Sequence, residues 1–277
     1  ESGGGDDRNA IVWNERGTSL LLGTNDLERM RVDHNGNVGI GVTPSTSWHS
    51  NHVALQLGGG KDGFISAPKG QNIGRMFMGV NAVSTDANGN NWSRGGDTYR
   101  PSLHSQINGV HAFKTAAAGS GAISWNTAMT IDNAGIVTKP NQPIISVSRA
   151  NNGLNMSTNE DLFASTSMLN WVVQGITHNT SNGRFTVPVA GKYYIHFYSM
   201  KQNDVTAYFQ VKKNGADTLG LRIYEKSSQA SSSWHSYGLG GVFTLAANDY
   251  INVVCASGGT AVAHGQKHMN FTIQLVG

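Results

Sequence analysis

The chain has 277 residues, 13% of them charged, with 35 glycines, six prolines, one cysteine and a formal net charge of +3. Soluble domains ordinarily carry about 25% charge and about 7% glycine, so this chain has roughly half the charge and nearly twice the glycine. That balance favours turns and strands over helices, which excludes helical bundles, coiled coils and doubly wound nucleotide enzymes, while glycine without a three-residue period excludes a collagen stalk.

Length suggests two compact units or one large all-β unit. The basic residues are scattered, with no run longer than Lys212-Lys213, so no nucleic-acid partner is expected. No apolar run approaches the ~18 residues of a membrane span, so no membrane insertion is expected either. A start at Glu1 without methionine is expected of a fragment or a processed product. The single Cys255 excludes an intrachain disulfide, and its alternation with Ile251 and Val253 predicts burial.

In chain order, the first signals are hairpins. Asn-Gly occurs six times, at Asn35, Asn88, Asn108, Asn152, Asn182 and Asn214, and this pair supplies the positive φ angles of a type I′ turn. Met30-Arg31-Val32-Asp33-His34-Asn35-Gly36-Asn37-Val38 recurs 99 residues later as Met129-Thr130-Ile131-Asp132-Asn133-Ala134-Gly135-Ile136-Val137. Each copy reads as strand, tight turn and return strand, with Asp33 or Asp132 accepting backbone N–H bonds in the turn. The segments Asp33–Asn37 and Asp86–Asn90 both spell D-x-N-G-N, but the glycine and glutamate positions of an EF-hand loop are missing. Gly58-Gly59-Gly60-Lys61-Asp62 lacks the hydroxyl residue and helix of a phosphate loop and reads as a turn. Thr158-Asn159-Glu160-Asp161 is the one capping-box candidate for a helix, with a polar sequence after it that does not sustain one.

Glu28 through Ser45, reading ERMRVDHNGNVGIGVTPS, resembles a segment common in bacteriophage tail-fibre proteins. Asn81–Trp92, Gly109–Thr115 and Ala122–Asp132 are similar to the same group. The resemblance implies trimeric β-shaft pieces around a knob. A physical argument points the same way, because strands this short and glycine-rich bury little apolar surface unless neighbouring chains cover them.

From Pro140 onward aromatic residues become denser. Gly183-Arg184-Phe185-Thr186-Val187-Pro188-Val189-Ala190-Gly191-Lys192-Tyr193-Tyr194-Ile195-His196-Phe197 resembles the core of the C1q/tumour-necrosis-factor-like head. The similarity continues through Val211–Gly215, Gly240–Leu245, Asn248–Val253 and Phe271–Leu275, spanning residues 141–277. It implies a ten-stranded jelly-roll sandwich that trimerises. Asn248 stands where that family usually has glycine, and Thr272-Ile273 replaces its terminal small-residue turn, a change expected to alter packing at the trimer axis. Alternation in Lys192–Tyr198 puts Tyr193, Ile195 and Phe197 on one face and Tyr194, His196 and Tyr198 on the other. One face would meet the partner sheet and the other a neighbouring subunit. Tyr193, Ile195, Phe197 and Phe271 are the trimer-interface candidates, and Trp171 reads as core.

No nucleophile elbow, triad or facing carboxylate pair is apparent, so no catalytic residue is nominated and no enzyme activity or cofactor is expected. His264 and His268 are weak metal candidates, since a histidine near a threefold axis supplies three ligands, but no metal is expected. Glycan recognition stacks aromatic rings on sugars and reads hydroxyls with Asn, Asp, Arg and His. Two segments have that mixture: Trp92, Arg94, Tyr99 and Arg100 in the knob, and Trp234, His235 and Tyr237 in the head.

The sequence thus predicts an all-β chain with a shaft segment (1–47), a β-rich knob (48–140) and a C1q-like jelly-roll head (141–277). The function expected is a non-enzymatic, homotrimeric phage fibre piece. It would belong to an extracellular virion tail or capsid fibre, contact other fibre proteins, and attach to a host surface glycan or protein. The alternatives are a purely structural fibre component and, with less support, a polysaccharide depolymerase.

Overall fold

The computed structural model describes residues 12–58, 63–70, 74–96, 98–150, 154–156, 158–202, 207–225, 234–257, 261–263 and 268–277. The chain divides into two units, Glu1–Pro140 and Asn141–Gly277. Every regular element among the described residues is a strand, and the capping-box segment contributes only a turn and a two-residue strand.

The first unit contains β1 (Leu20–Thr24), β2 (Leu27–Val32), β3 (Val38–Ile40), β4 (His52–Leu57), β5 (Gly63–Pro68) and β6 (Arg75–Val80). It continues with β7 (Ala82–Ser84), β8 (Trp92–Arg94), β9 (Ser102–Ile107), β10 (Val110–Thr115), β11 (Asn126–Ile131) and β12 (Val137–Thr138). One ten-stranded sheet runs β1-β2-β3-β4-β5-β6-β9-β10-β11-β12, while β7 and β8 form a separate hairpin. The parallel β3–β4 pairing carries the sheet through residue 47, so shaft and knob are one continuous sheet.

The sequence repeat is larger than its letters. In both copies the preceding strand joins a three-stranded meander, β1-β2-β3 at one end of the sheet and β10-β11-β12 at the other. Each meander has a bulge at the matching place, between Leu22 and Gly23 and between Phe113 and Lys114. Both turns share one hydrogen-bond pattern. Asp33 Oδ1 accepts from the N–H groups of Asn35 (2.9 Å) and Asn37 (2.8 Å), and Asp132 Oδ1 accepts from Ala134 and Ile136 (2.9 Å each). Asp86 does the same for Asn88 and Asn90. The aspartates are therefore turn caps, each with its Oδ1 committed to two backbone donors.

Those caps also decide which Asn-Gly pairs make tight hairpins. At Asn108-Gly109 both residues have positive φ (50° and 77°), as at Asn214-Gly215 (52° and 78°). At Asn35, Asn88 and Asn182 the positive φ falls on the glycine alone, because a carboxylate or amide upstream opens a longer capped loop. Asn152 lies outside the described residues. The β1–β2 hairpin instead turns on Asn25-Asp26, both with positive φ.

One sheet face packs under the β7–β8 hairpin. Trp48, Ala54, Phe64, Phe77, Val83, Trp92 and Leu103 form that core. The Asp86 loop comes down onto it so closely that a Cβ on Gly89 would lie 2.4 Å from Phe77. Only glycine fits there.

The second unit contains β13 (Ile144–Arg149), β14 (Leu154–Met156), β15 (Glu160–Asp161), β16 (Met168–Gln174), β17 (Thr177–Asn179), β18 (Arg184–Thr186) and β19 (Gly191–Gln202). These are followed by β20 (Ala207–Lys213), β21 (Arg222–Glu225), β22 (Trp234–Leu245), β23 (Tyr250–Ser257), β24 (Ala261–Ala263) and β25 (Asn270–Leu275). The first sheet is built from β16-β13, then β25, β19 and β22; backbone bonds from Leu275 to Pro143 and from Arg149 to Met269 tie β13 to β25. The second runs β17-β18-β23-β20-β21. With β24 and β14 extending the first sheet beside β19, and β15 pairing β23 in the second, these two antiparallel sheets close face to face as a jelly-roll sandwich. Its core draws on both sheets: Ile145, Phe163, Phe185, Tyr193, Ile195, Phe197, Phe209, Val253, Cys255 and Phe271 are all fully buried.

Asn248 adopts φ = 69° and so takes the left-handed conformation for which glycine is usual, which asparagine tolerates better than most residues. The next residue, Asp249, holds that corner: it accepts from Ala246 N and Asn214 Nδ2 and pairs with Lys213 at 2.8 Å.

Candidate functional site

The four interface candidates of the head are corrected by the structure. Tyr193, Ile195, Phe197 and Phe271 are each 0% exposed within a single chain, because the second sheet covers that side of β19 and β25. They build the sandwich core and present nothing to another chain. The opposite side of β19 carries the open face. There Tyr194 and His196 lie nearly parallel, with ring centroids 6.1 Å apart, and the Tyr198 hydroxyl donates to Ser236 Oγ at 3.1 Å. His196 and Tyr198 sit opposite Gly240 and Gly238 of β22. A Cβ on Gly240 would meet the Ile195 carbonyl at 3.0 Å and His196 at 3.1 Å, so these glycines let the rings lie flat across the neighbouring strand. The result is a shelf of aromatic faces with polar tips.

Trp171 is also corrected. It is 54% exposed, on the edge strand β16, which among the described residues pairs with β13 alone. Trp234 starts β22 and its side chain lies outside the described residues; Tyr237 packs partly buried against the core, and His235 is half-buried. His264 lies outside the described residues, as do residues 59–62 of the glycine-rich turn. His268 is exposed, and among the described residues no group of three His, Cys, Asp or Glu side chains could hold a metal.

In the knob the structure splits the nominated segment. Trp92 is 3% exposed, its Nε1 donating to Gly89 O at 2.7 Å, and it contacts Trp48, Phe64, Phe77 and Trp125. It is a core residue, and the polar composition around it concealed that. Arg94 spends its guanidinium on the carbonyls of Ala117, Ser120 and Ala122, pinning a neighbouring loop. Tyr99 (62% exposed) and Arg100 are the nominated knob residues whose side chains are exposed. Their backbone is held by buried Asn81, whose Nδ2 donates to the carbonyls of Tyr99 (2.7 Å) and Gly96 (3.1 Å). Arg100 borders a shallow hollow of about 430 Å³ with Thr115 and Asn126.

A further feature has no counterpart among the nominated residues. Opposite its aromatic core, the ten-stranded sheet leaves a second face open. Register pairs align Leu20, Val32, Val38, Leu55, Ile65, Met78, His104, Phe113 and Met129 in one ladder across nine strands. Flanking ladders add Leu22, Met30, Ile40 and Leu57 on one side and Met76, Gln106, His111 and Ile131 on the other. Ile65, Met76, Met78, Val80 and Phe113 are 37–43% exposed, and a hollow of about 520 Å³ opens among Ile65, Met78, His104 and Phe113. None of these ladder residues is Asp, Glu, Lys or Arg.

No family model and no curated protein matches the chain. Two solved structures similar to it are the Eiger tumour-necrosis-factor protein of S. frugiperda and the globular domain of zebrafish complement 1qA. The first is 11% identical with a TM-score of 0.38, covering 49% of this chain and 93% of that one. The second is 18% identical with a TM-score of 0.37, covering 49% and 98%. Neither likeness is close enough to carry an argument; the jelly roll stands on its strand order and core.

Proposed function

We propose that this chain is the distal piece of a homotrimeric phage fibre, in an extracellular virion tail or capsid fibre, that attaches the particle to a host surface glycan or protein without enzymatic action. The observation that carries the reading is the uncharged open face of the ten-stranded sheet. A surface of that composition needs covering, and copies of the same chain cover it in a fibre. The tail-fibre resemblance of Glu28–Ser45 supports the same conclusion and joins this piece to other fibre proteins.

Attachment in such an assembly works through avidity. Three equivalent weak sites on one rigid tip raise the effective affinity above that of any one. Of the nominated knob residues, Tyr99 and Arg100 supply an exposed ring and a fork of donors on a backbone fixed by Asn81. Incubation with a panel of bacterial cells and their purified surface polysaccharides tests the reading. Retention on cells or polysaccharide without released oligosaccharide is expected. Soluble product would establish a depolymerase instead, and no retention on any strain would leave a structural fibre component.

A further inference from the structure

We infer that the open face of the N-terminal ten-stranded sheet is where copies of this chain associate with one another, and that the His104–His111 pair on it makes the association acid-sensitive. This rests on the homotrimeric reading above, and names its contact surface and its control.

Size favours a second copy as the occupant. Ten strands at about 4.8 Å spacing and five residues at about 3.3 Å rise give a face of roughly 700 Å². A stable interface buries about 800 Å² per partner, and the largest apolar patch of an ordinary monomer is about 300–600 Å². Charge favours the same occupant. The ladders hold no carboxylate, lysine or arginine to recognise a charged partner, and few hydroxyl-reading groups to recognise a glycan. An uncharged, flat, apolar surface is matched by another of its own kind.

The titratable exception in these ladders is the histidine pair, with Gln106 the polar neighbour beside it. His104 Nε2 and His111 Nδ1 are 3.2 Å apart, their rings stack at 5.4 Å, and His104 also lies flat on Phe113 at 4.5 Å. The neighbours facing the pair are Met78 and Met76 from β6, Gln106 from β9, Phe113 from β10, and Met129 and Ile131 from β11. No charge opposes a proton there. Lys114, next along β10, pairs with buried Leu103 and also borders the same hollow, so the nearest charge is a cation that adds to the repulsion and not a counter-charge. A bond between two imidazole nitrogens needs one donor and one acceptor, so double protonation breaks it and sets two positive charges side by side. Burial, and then the neighbouring His111, already hold the His104 pKa below its ordinary value. Covering the face by a second copy removes more water and pushes it further in the same direction. A group whose pKa is depressed further in the associated state supports association above its value in the dissociated chain, itself already below the ordinary histidine value, and withdraws that support as pH falls through and below it. Each such proton weakens association by up to about tenfold per pH unit per protomer.

Sedimentation velocity of the full chain at pH 7.5 and 5.0, with near-UV circular dichroism as the folding check, tests this. The wild-type chain should be oligomeric at pH 7.5 and dissociate at pH 5.0 with its near-UV signal kept. The double variant His104→Gln/His111→Gln should stay oligomeric at both pH values, and Met78→Lys should be dissociated at both. If Met78→Lys loses its near-UV signal, Ile65→Glu is read in its place. An oligomeric, folded Met78→Lys or Ile65→Glu chain overturns this face as the interface while leaving the homotrimer standing; a monomeric wild-type chain at pH 7.5 overturns both. A wild-type oligomer that survives pH 5.0, or a double variant that dissociates there, overturns the role of the histidines.

Discussion

Trp92→Ala removes an indole whose ring centroid lies 5.1–6.4 Å from those of Phe77, Phe64, Trp48 and Trp125. Large-to-small substitution of a buried aromatic costs about 3–5 kcal/mol. The Gly89 carbonyl loses its donor as well, worth about 1 kcal/mol more. For a unit of this size each kcal/mol moves the unfolding midpoint by roughly 3–5 °C, so a fall of about 12–30 °C is expected. Trp92→Phe keeps ring contacts, loses the hydrogen bond, and should fall less. Differential scanning calorimetry at fixed protomer concentration provides the measurement, since association shifts midpoints by mass action. The head supplies an internal reference if it melts separately, because its core contains no residue of the Trp92 cluster. An unchanged midpoint combined with lost retention on host cells would refute the core assignment and restore Trp92 as a ligand residue.

Asp33→Ala removes the acceptor for two backbone N–H groups and should destabilise the first unit by about 1–2 kcal/mol in chemical denaturation, whereas adding chelator to the wild-type chain should leave its midpoint unchanged; a chelator effect would contradict the turn-cap assignment. Gly240→Val forces a side chain against Ile195 and His196, so the head should lose about 1–3 kcal/mol and the near-UV signal of its open-face tyrosines should change. Burial lowers the pKa of fully buried His52 and of His178, which stacks on Phe185 at 4.2 Å. Both therefore stabilise their units above about pH 6.5 and destabilise them progressively below it, so thermal midpoints should drop between pH 7 and pH 5; flat profiles would contradict this. Tyr99→Ala with Arg100→Ala should leave stability within about 0.5 kcal/mol while weakening retention on host cells, because both side chains are exposed.

Local patterns in the sequence translated well where the physics is local. Alternation in Lys192–Tyr198 separates the two faces of β19, and Ile251, Val253 and Cys255 share a buried face. Which face of β19 turns inward was not legible, since Tyr193-Ile195-Phe197 and Tyr194-His196-Tyr198 are both aromatic and the choice depends on a sheet contributed by other residues. The glycines beneath the outer rings were a signal available in Gly238 and Gly240, but only the β19–β22 register gives them meaning. The repeat was visible through its aspartate turns, whereas Leu20–Thr24 and His111–Thr115 share a bulge and pairing with almost no letters in common. Trp92 was misleading because neighbouring asparagines and glycines describe a loop, while the close approach at Gly89 brings that loop onto the core. The uncharged ladder was hidden for a related reason: it takes one or two residues from each strand, and only register assembles them.

The mass of the chain in solution decides whether it works as the trimer we propose. Sedimentation equilibrium of the full chain at pH 7.5, across a wide range of protomer concentration, should return three times the chain mass. A single species at one chain mass, with the near-UV signal of a folded protein, would contradict the account.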